Sequence, residues 1–176
     1  MTNSLPESLK REFRWAMLYK LIELLGDAGK IKVQKLAYFL QESFHVPMGY
    51  AFFMHYYGPF SEEVENDLAK LRAMGYITSW LDPEGYGFHL KVASGGERRW
   101  KELLGEYQGA VEKIVTLYGD LDATGLELRA TILCVWRSST EDVQRLRQEV
   151  RAWKPKFSFA EIQSAFEELQ NARLLN

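Results

Sequence analysis

Apolar positions recur at helical spacing from residue 5 to 25. Phe13, Met17, Leu21 and Leu24 form one stripe, and Trp15, Leu18, Ile22 and Leu25 form a second. Two stripes make the helix apolar over most of its girth, which predicts a central position in the fold. Ser4 and Glu7 have capping-box spacing at its start, and Gly26 suits its end. A second helix opens at Lys30, with Val33, Leu36, Ala37, Leu40 and Phe44 on its apolar face and Pro47 as its stop. Lys30, Lys32, Lys35 and Gln41 fall elsewhere on its circumference. The pattern then changes. Residues 50–57 are crowded with aromatic rings and predict a strand buried on both faces, ending in Gly58-Pro59. Ser61 is a good N-cap for a third helix whose inward stripe is Val64, Leu68 and Leu71, and Gly75 sits where positive φ costs glycine little. Residues 76–81 and 86–92 read as two strands joined by the turn Asp82-Pro83-Glu84-Gly85.

Ser94-Gly95-Gly96 marks a boundary, beyond which the pattern is helical throughout. Trp100, Leu103, Leu104, Tyr107, Val111, Ile114, Val115 and Tyr118 keep a spacing of three and four, with Gly105 and Gly109 predicting a kink or a close helix contact. This run could pair two copies as a homodimer or form the core of a helical bundle. Thr124 and Glu127 make a capping-box pattern before residues 126–136. Thr140 precedes a helix carrying Val143, Leu146, Val150 and Trp153, and Ser158 and Glu161 open a last helix with Ile162, Ala165, Phe166 and Leu169 inward. The order predicts a mostly α (α+β) fold. A winged-helix-like unit with a small β-sheet, residues 5–92, packs on a C-terminal helical bundle, residues 96–176, as one compact domain.

Composition narrows the function classes. A net charge of −2 argues against wholesale nucleic-acid binding, which needs a basic face. One cysteine, Cys134, permits no internal disulfide and fits a reducing compartment. The first residues lack a basic stretch followed by an apolar run, and no apolar run reaches the roughly 20 residues needed to span a bilayer, so a cytoplasmic protein with no membrane partner is expected.

Candidate chemistry is sparse. His45, His55 and His89 show no ligand spacing, so no metal and no cofactor is expected. Ser61 reads as a cap and Cys134 as a small core residue, leaving no nucleophile with a base beside it. The third helix carries Glu62, Glu63, Glu65 and Asp67 against Lys70 and Arg72, a balance that opposes phosphate contact. Basic residues gather instead at Lys30, Lys32 and Lys35 and at Arg147 and Arg151, which are the candidate nucleic-acid contacts. Tyr56, Tyr57, Phe60, Glu62 and Glu63 are the candidate protein contacts.

Lys35-Leu36-Ala37-Tyr38-Phe39-Leu40-Gln41, then Tyr56-Tyr57-Gly58-Pro59-Phe60-Ser61, then Gly75-Tyr76-Ile77 resemble the YwgA-like family of bacterial proteins. They are more distantly similar to the Panacea (SocA-like) antitoxin domain, whose members commonly carry arginine where Tyr56 stands. The resemblance covers about the first half of the chain. It implies a small, mostly helical, winged-helix-like fold, antitoxin action through protein–protein contact, and no catalytic residue. The expectation is therefore a non-enzymatic regulatory or antitoxin-like module that binds a protein partner, a toxin or a regulatory protein. The alternative is a winged-helix DNA-binding transcriptional regulator.

Overall fold

A computed structural model describes residues 6–85, 87–93, 95–138 and 142–175. The first helix, α1 (Glu7–Leu25), buries Phe13, Trp15, Met17, Leu18, Leu21 and Ile22. Both predicted stripes are thus in the core except at their ends, where Leu24 is exposed. Helix α1 packs against the third, fourth and fifth helices, as its two-sided apolar surface requires. Ser4, half of the expected capping box, lies outside the described residues, as do Tyr86, Ser94 and Thr140.

A two-residue strand β1 (Ala28–Gly29) leads into α2 (Lys30–Glu42). The hairpin of β2 (Phe53–His55) and β3 (Gly58–Phe60) follows, then α3 (Glu62–Ala73), capped by the Ser61 hydroxyl at Val64 N. Strands β4 (Ile77–Leu81) and β5 (Phe88–Val92) pair antiparallel, and β1 adds to the other edge of β5, giving the order β1-β5-β4. The expected long strand over 50–57 is not formed. Only Phe53–His55 is extended in a ladder, and Phe53 and His55 both point to solvent, because the chain folds back at Tyr56-Tyr57 instead of crossing the core.

The predicted run over 100–118 divides into α4 (Gly96–Leu104) and α5 (Gln108–Tyr118). The break falls at Gly105, whose φ of 48° lies outside the helical region. Helix α6 (Ala123–Ser138) lies across α2, and α7 (Val143–Trp153) and α8 (Phe159–Asn171) pack on α6. The Ser158–Glu161 capping box is present, with Ile162, Ala165, Phe166 and Leu169 buried beneath it. Asp142 caps α7 through Gln144 N and Arg145 N. The molecule is therefore mostly helical with a small antiparallel sheet, and its core runs from α1 through α2 to α6 and α8. Among the described residues, no helix is long and apolar enough to cross a membrane.

One charged clasp ties the sheet to the α1–α2 connection. His89 Nδ1 contacts Asp27 Oδ1, and its Nε2 lies 3.0 Å from Asp82 Oδ2, while its ring stacks on Trp80. The Asp27 hydrogen bond, with the charges of Asp27 and Asp82, raises the His89 pKa above its ordinary value, against a smaller opposing effect of burial. A group whose folded pKa is raised stabilises the fold fully below its unfolded pKa and loses that contribution as pH rises through the folded value. The melting temperature of the native chain should exceed that of His89→Gln by its widest margin below about pH 6.5, the ordinary histidine value, and the margin should shrink at higher pH. A margin that widens with pH would contradict the clasp.

Candidate functional site: a pinned aromatic turn

The segment that carries the turn between β2 and β3 is held by three side chains of α2 and by a lysine that follows α7. At its tip Tyr56 and Tyr57 keep negative φ, and Gly58 takes φ 85°. This is the pattern of a tight turn followed by a left-handed residue, which glycine adopts most readily. Space favours glycine at 58 as well. A Cβ there would lie 3.1 Å from Thr131 Oγ1 and 3.4 Å from the Glu127 carbonyl of α6. The turn therefore sits directly on α6.

Helix α2 fastens both ends of the segment. The Gln41 carboxamide accepts from Tyr50 N at 2.8 Å and donates to Tyr50 O at 2.9 Å. Gln34 does the same at Ser61, accepting from its N–H at 3.2 Å and donating to its carbonyl at 2.9 Å. Each amide replaces a ladder partner, so the backbone at both ends is satisfied as it would be in a sheet. Between them, Lys35 Nζ donates to the Pro59 carbonyl at 2.8 Å. From the other side, Lys154 at the end of α7 donates to the Tyr56 carbonyl and lies 2.7 Å from Glu127 Oε1. Lys156 reaches Glu127 Oε2 at 3.2 Å.

Gln34, Lys35, Glu127 and Lys154 are buried, whereas Lys156 reaches Glu127 from the surface. Lys35 and Lys154 are each 2% exposed and Glu127 is 6% exposed. Burial pushes the Lys35 ammonium down to about 8, with the Lys154 charge acting in the same direction and Glu127 and Glu65 opposing. Glu127 is thus not the capping residue that its spacing from Thr124 predicts. Helix α6 starts at Ala123, Asp122 Oδ1 accepts from Gly125 N at 2.6 Å, and Glu127 turns inward to the lysines.

What this scaffold presents is aromatic. Tyr56 is 77% exposed, Tyr57 50% and Phe53 47%. Phe60 lies half-buried against Phe53 and His55. Glu62 is exposed at the start of α3, two residues after Phe60, whereas Glu63 is used structurally and accepts from Ala51 N at 2.7 Å. Of the five expected protein contacts, Tyr56, Tyr57 and Phe60 lie on the hairpin and Glu62 starts the helix that follows, with Glu63 helping to hold the loop before the hairpin.

The expected nucleic-acid contacts are divided. Lys30 pairs with Glu65, Lys32 donates to the Gly119 carbonyl at 2.7 Å, and Lys35 is buried. Arg147 and Arg151 both lie over the Phe159 ring at 5.5 Å, and Arg151 donates to the Phe157 carbonyl. Sequence reasoning passed over Gln34, Glu127 and Lys154. One available signal was the set Ile31, Gln34, Lys35 and Tyr38, which has the spacing of a second buried stripe on α2 with two polar members.

No family model matches the chain. The chain is 31% identical over 151 residues to a DNA ADP-ribosyl glycohydrolase of Thermus aquaticus, an alignment covering 80% of this chain and 41% of that protein. The chain thus spans about two fifths of the length of the curated relative it matches. That relative is an enzyme. The likeness overturns the expectation of a non-enzymatic module, which rested on local motifs and the lack of a catalytic set.

Proposed function

We propose that this chain corresponds to a portion of a DNA ADP-ribosyl glycohydrolase-type protein and serves the removal of ADP-ribose from DNA. Its own contribution is a docking face, the rings of Tyr56, Tyr57 and Phe53 with the Glu62 carboxylate. That face engages a protein acting on the same DNA, the class of transferase that attaches ADP-ribose. The observation that carries this reading is the pinning of the turn. Buried side chains from three helices fix a backbone whose tip rings are left in solvent. Rigid exposed aromatics lose little entropy on binding and are the usual anchors of protein interfaces. The acidic start of α3 favours a protein over phosphates. The helix order of the first half and the β1-β5-β4 sheet support a winged-helix type of unit beneath this face.

A DNA oligonucleotide incubated with a DNA ADP-ribosyltransferase and its donor nucleotide tests the reading. Adding the chain in molar excess over the transferase should lower the amount of DNA-bound ADP-ribose, measured by mass spectrometry of the oligonucleotide. An unchanged amount would overturn it.

A further inference from the structure

The three-stranded sheet ends on one side in β4, which has no strand beyond it. The parity of its hydrogen bonds tells which backbone groups are left over. Ala93 N donates to the Tyr76 carbonyl and Asp82 N to the Gly87 carbonyl, each at 2.8 Å. Alternate residues of an antiparallel strand face the partner strand, so Tyr76, Thr78, Trp80 and Asp82 turn their backbone groups to β5. Those of Ile77, Ser79 and Leu81 turn outward and have no hydrogen-bond partner among the described residues.

Natural sheet edges are commonly blunted by lysine, proline, a bulge or a very short strand. Ile77-Thr78-Ser79-Trp80-Leu81 carries no charge and no proline, and its register with β5 is unbroken. The opposite edge, β1, has only two residues. Trp80 is exposed and Leu81 is 60% exposed. An open edge of this kind is a template for another strand.

We infer that β4 pairs with β4 of a second copy of this chain, antiparallel about a two-fold axis at Ser79. That register sets Ile77 opposite Leu81 of the other copy and Ser79 opposite its own counterpart, so every outward residue meets an outward residue. A shift of two in one direction would set Ile77 opposite Pro83, which has no N–H to give. In the other direction Leu81 would lie opposite Gly75, outside the strand. Charge favours a second copy over an unrelated segment. The chain's net charge of −2 opposes its own association little. The same register brings the 82–85 turn of each copy, with exposed Glu84, beside residues 74–76 of the other, where α3 ends. Lys70 and Arg72 are exposed in the last turn of α3, and neither they nor Glu84 have an ion pair among the described residues. The two-fold therefore sets a carboxylate near two cations at each end of the paired strands. Phe53, Tyr56, Tyr57 and Glu62 lie outside β4 and β5, so this inference does not rest on the docking reading.

Sedimentation velocity of the full chain over about 1–200 μM, a range suited to the weak association of small interfaces, tests the inference. A monomer–dimer equilibrium should appear. Leu81→Lys puts a charge on the edge at an exposed position and should weaken it about tenfold or more. Glu84→Lys sets like charges together across the axis and should also weaken it, and adding Arg72→Glu to Glu84→Lys should recover affinity. Amide exchange at Ser79 and Leu81 should slow as concentration rises, while Thr78 and Trp80, already bonded to β5, should change less. A chain that stays monomeric throughout overturns the inference, as does a dimer that Leu81→Lys and Glu84→Lys leave unchanged. Slowing confined to α4 and α5 would place the contact elsewhere and overturn it too. Slowing at Ser79 and Leu81 only when a DNA ADP-ribosyltransferase is added would give the edge to that partner, with the same consequence.

Discussion

Glu127→Ala lowers the free energy of unfolding by about 3–5 kcal/mol, the range for breaking a buried ion pair from one side. For a chain of this size, that is a fall in melting temperature of roughly 6–20 °C. The reason is what remains. Lys154 keeps a buried ammonium with only the Tyr56 carbonyl to receive it, and Lys35 sits nearby with its own charge. The penalty comes from uncompensated charge, not from lost attraction, so removing the second charge should relieve it. The double change Glu127→Ala/Lys154→Met should regain most of the loss, because a buried pair replaced by apolar groups is often neutral. Thermal unfolding of the three proteins decides. If Glu127→Ala costs less than about 1 kcal/mol, as an exposed pair would, the buried cluster does not support the turn.

Asp67→Ala should cost a similar amount, about 3–5 kcal/mol, by the same logic in a different place. Asp67 is 1% exposed and receives the Trp15 indole N–H at 2.9 Å and the Tyr50 hydroxyl at 3.0 Å. Arg14 Nε lies 3.0 Å from its second oxygen, and the Arg14 guanidinium also covers the Tyr50 ring. One carboxylate thus joins α1, α3 and the start of the pinned segment. Burial, and then the Asp67 charge, push the Tyr50 hydroxyl well above its ordinary pKa, so it stays a donor throughout the physiological range. Alanine would leave two buried donors without an acceptor and Arg14 with only the more distant Glu63 carboxylate, each lost hydrogen bond costing about 1–3 kcal/mol. Asp67→Asn keeps one acceptor oxygen and should cost less than alanine. Denaturant titration followed by tryptophan emission reads both. Equal stability of native and Asp67→Ala chains would contradict the network.

Local chemistry was the legible part of the sequence. The Ser158–Glu161 box, the Ser61 cap and the break at Gly105 each depend on residues within one turn of one another, and all are present. The stripes of α1 and α8 are also where their spacing puts them, since period alone assigns a buried face. The pinned turn was not legible in the same way. The lysines that hold it are joined to it across 24 and 98 residues of sequence, Lys35 to Pro59 and Lys154 to Tyr56. A lysine is most often solvated, and beyond the stripe spacing at Lys35 nothing beside Lys35 or Lys154 in the chain states otherwise. Glu127 was misread because its spacing from Thr124 imitates a cap, while its partners lie at the far end of α7. The aromatic run over 50–57 predicted burial by composition. The two-residue reversal at Tyr56-Tyr57 instead sends the tip into solvent. The enzymatic relationship was invisible to motif reading because it is carried by a 151-residue alignment, not by a compact catalytic pattern.

The most direct measurement compares the native chain with Tyr56→Ala/Tyr57→Ala in the oligonucleotide assay with a DNA ADP-ribosyltransferase. Both rings are at least half exposed, so the variant should melt with the native protein. The native chain should lower DNA-bound ADP-ribose, and the variant should need at least about thirtyfold more protein for the same effect, the loss that follows from removing a central aromatic anchor worth 2 kcal/mol or more. Equal potency of the two proteins would contradict the docking role of the turn.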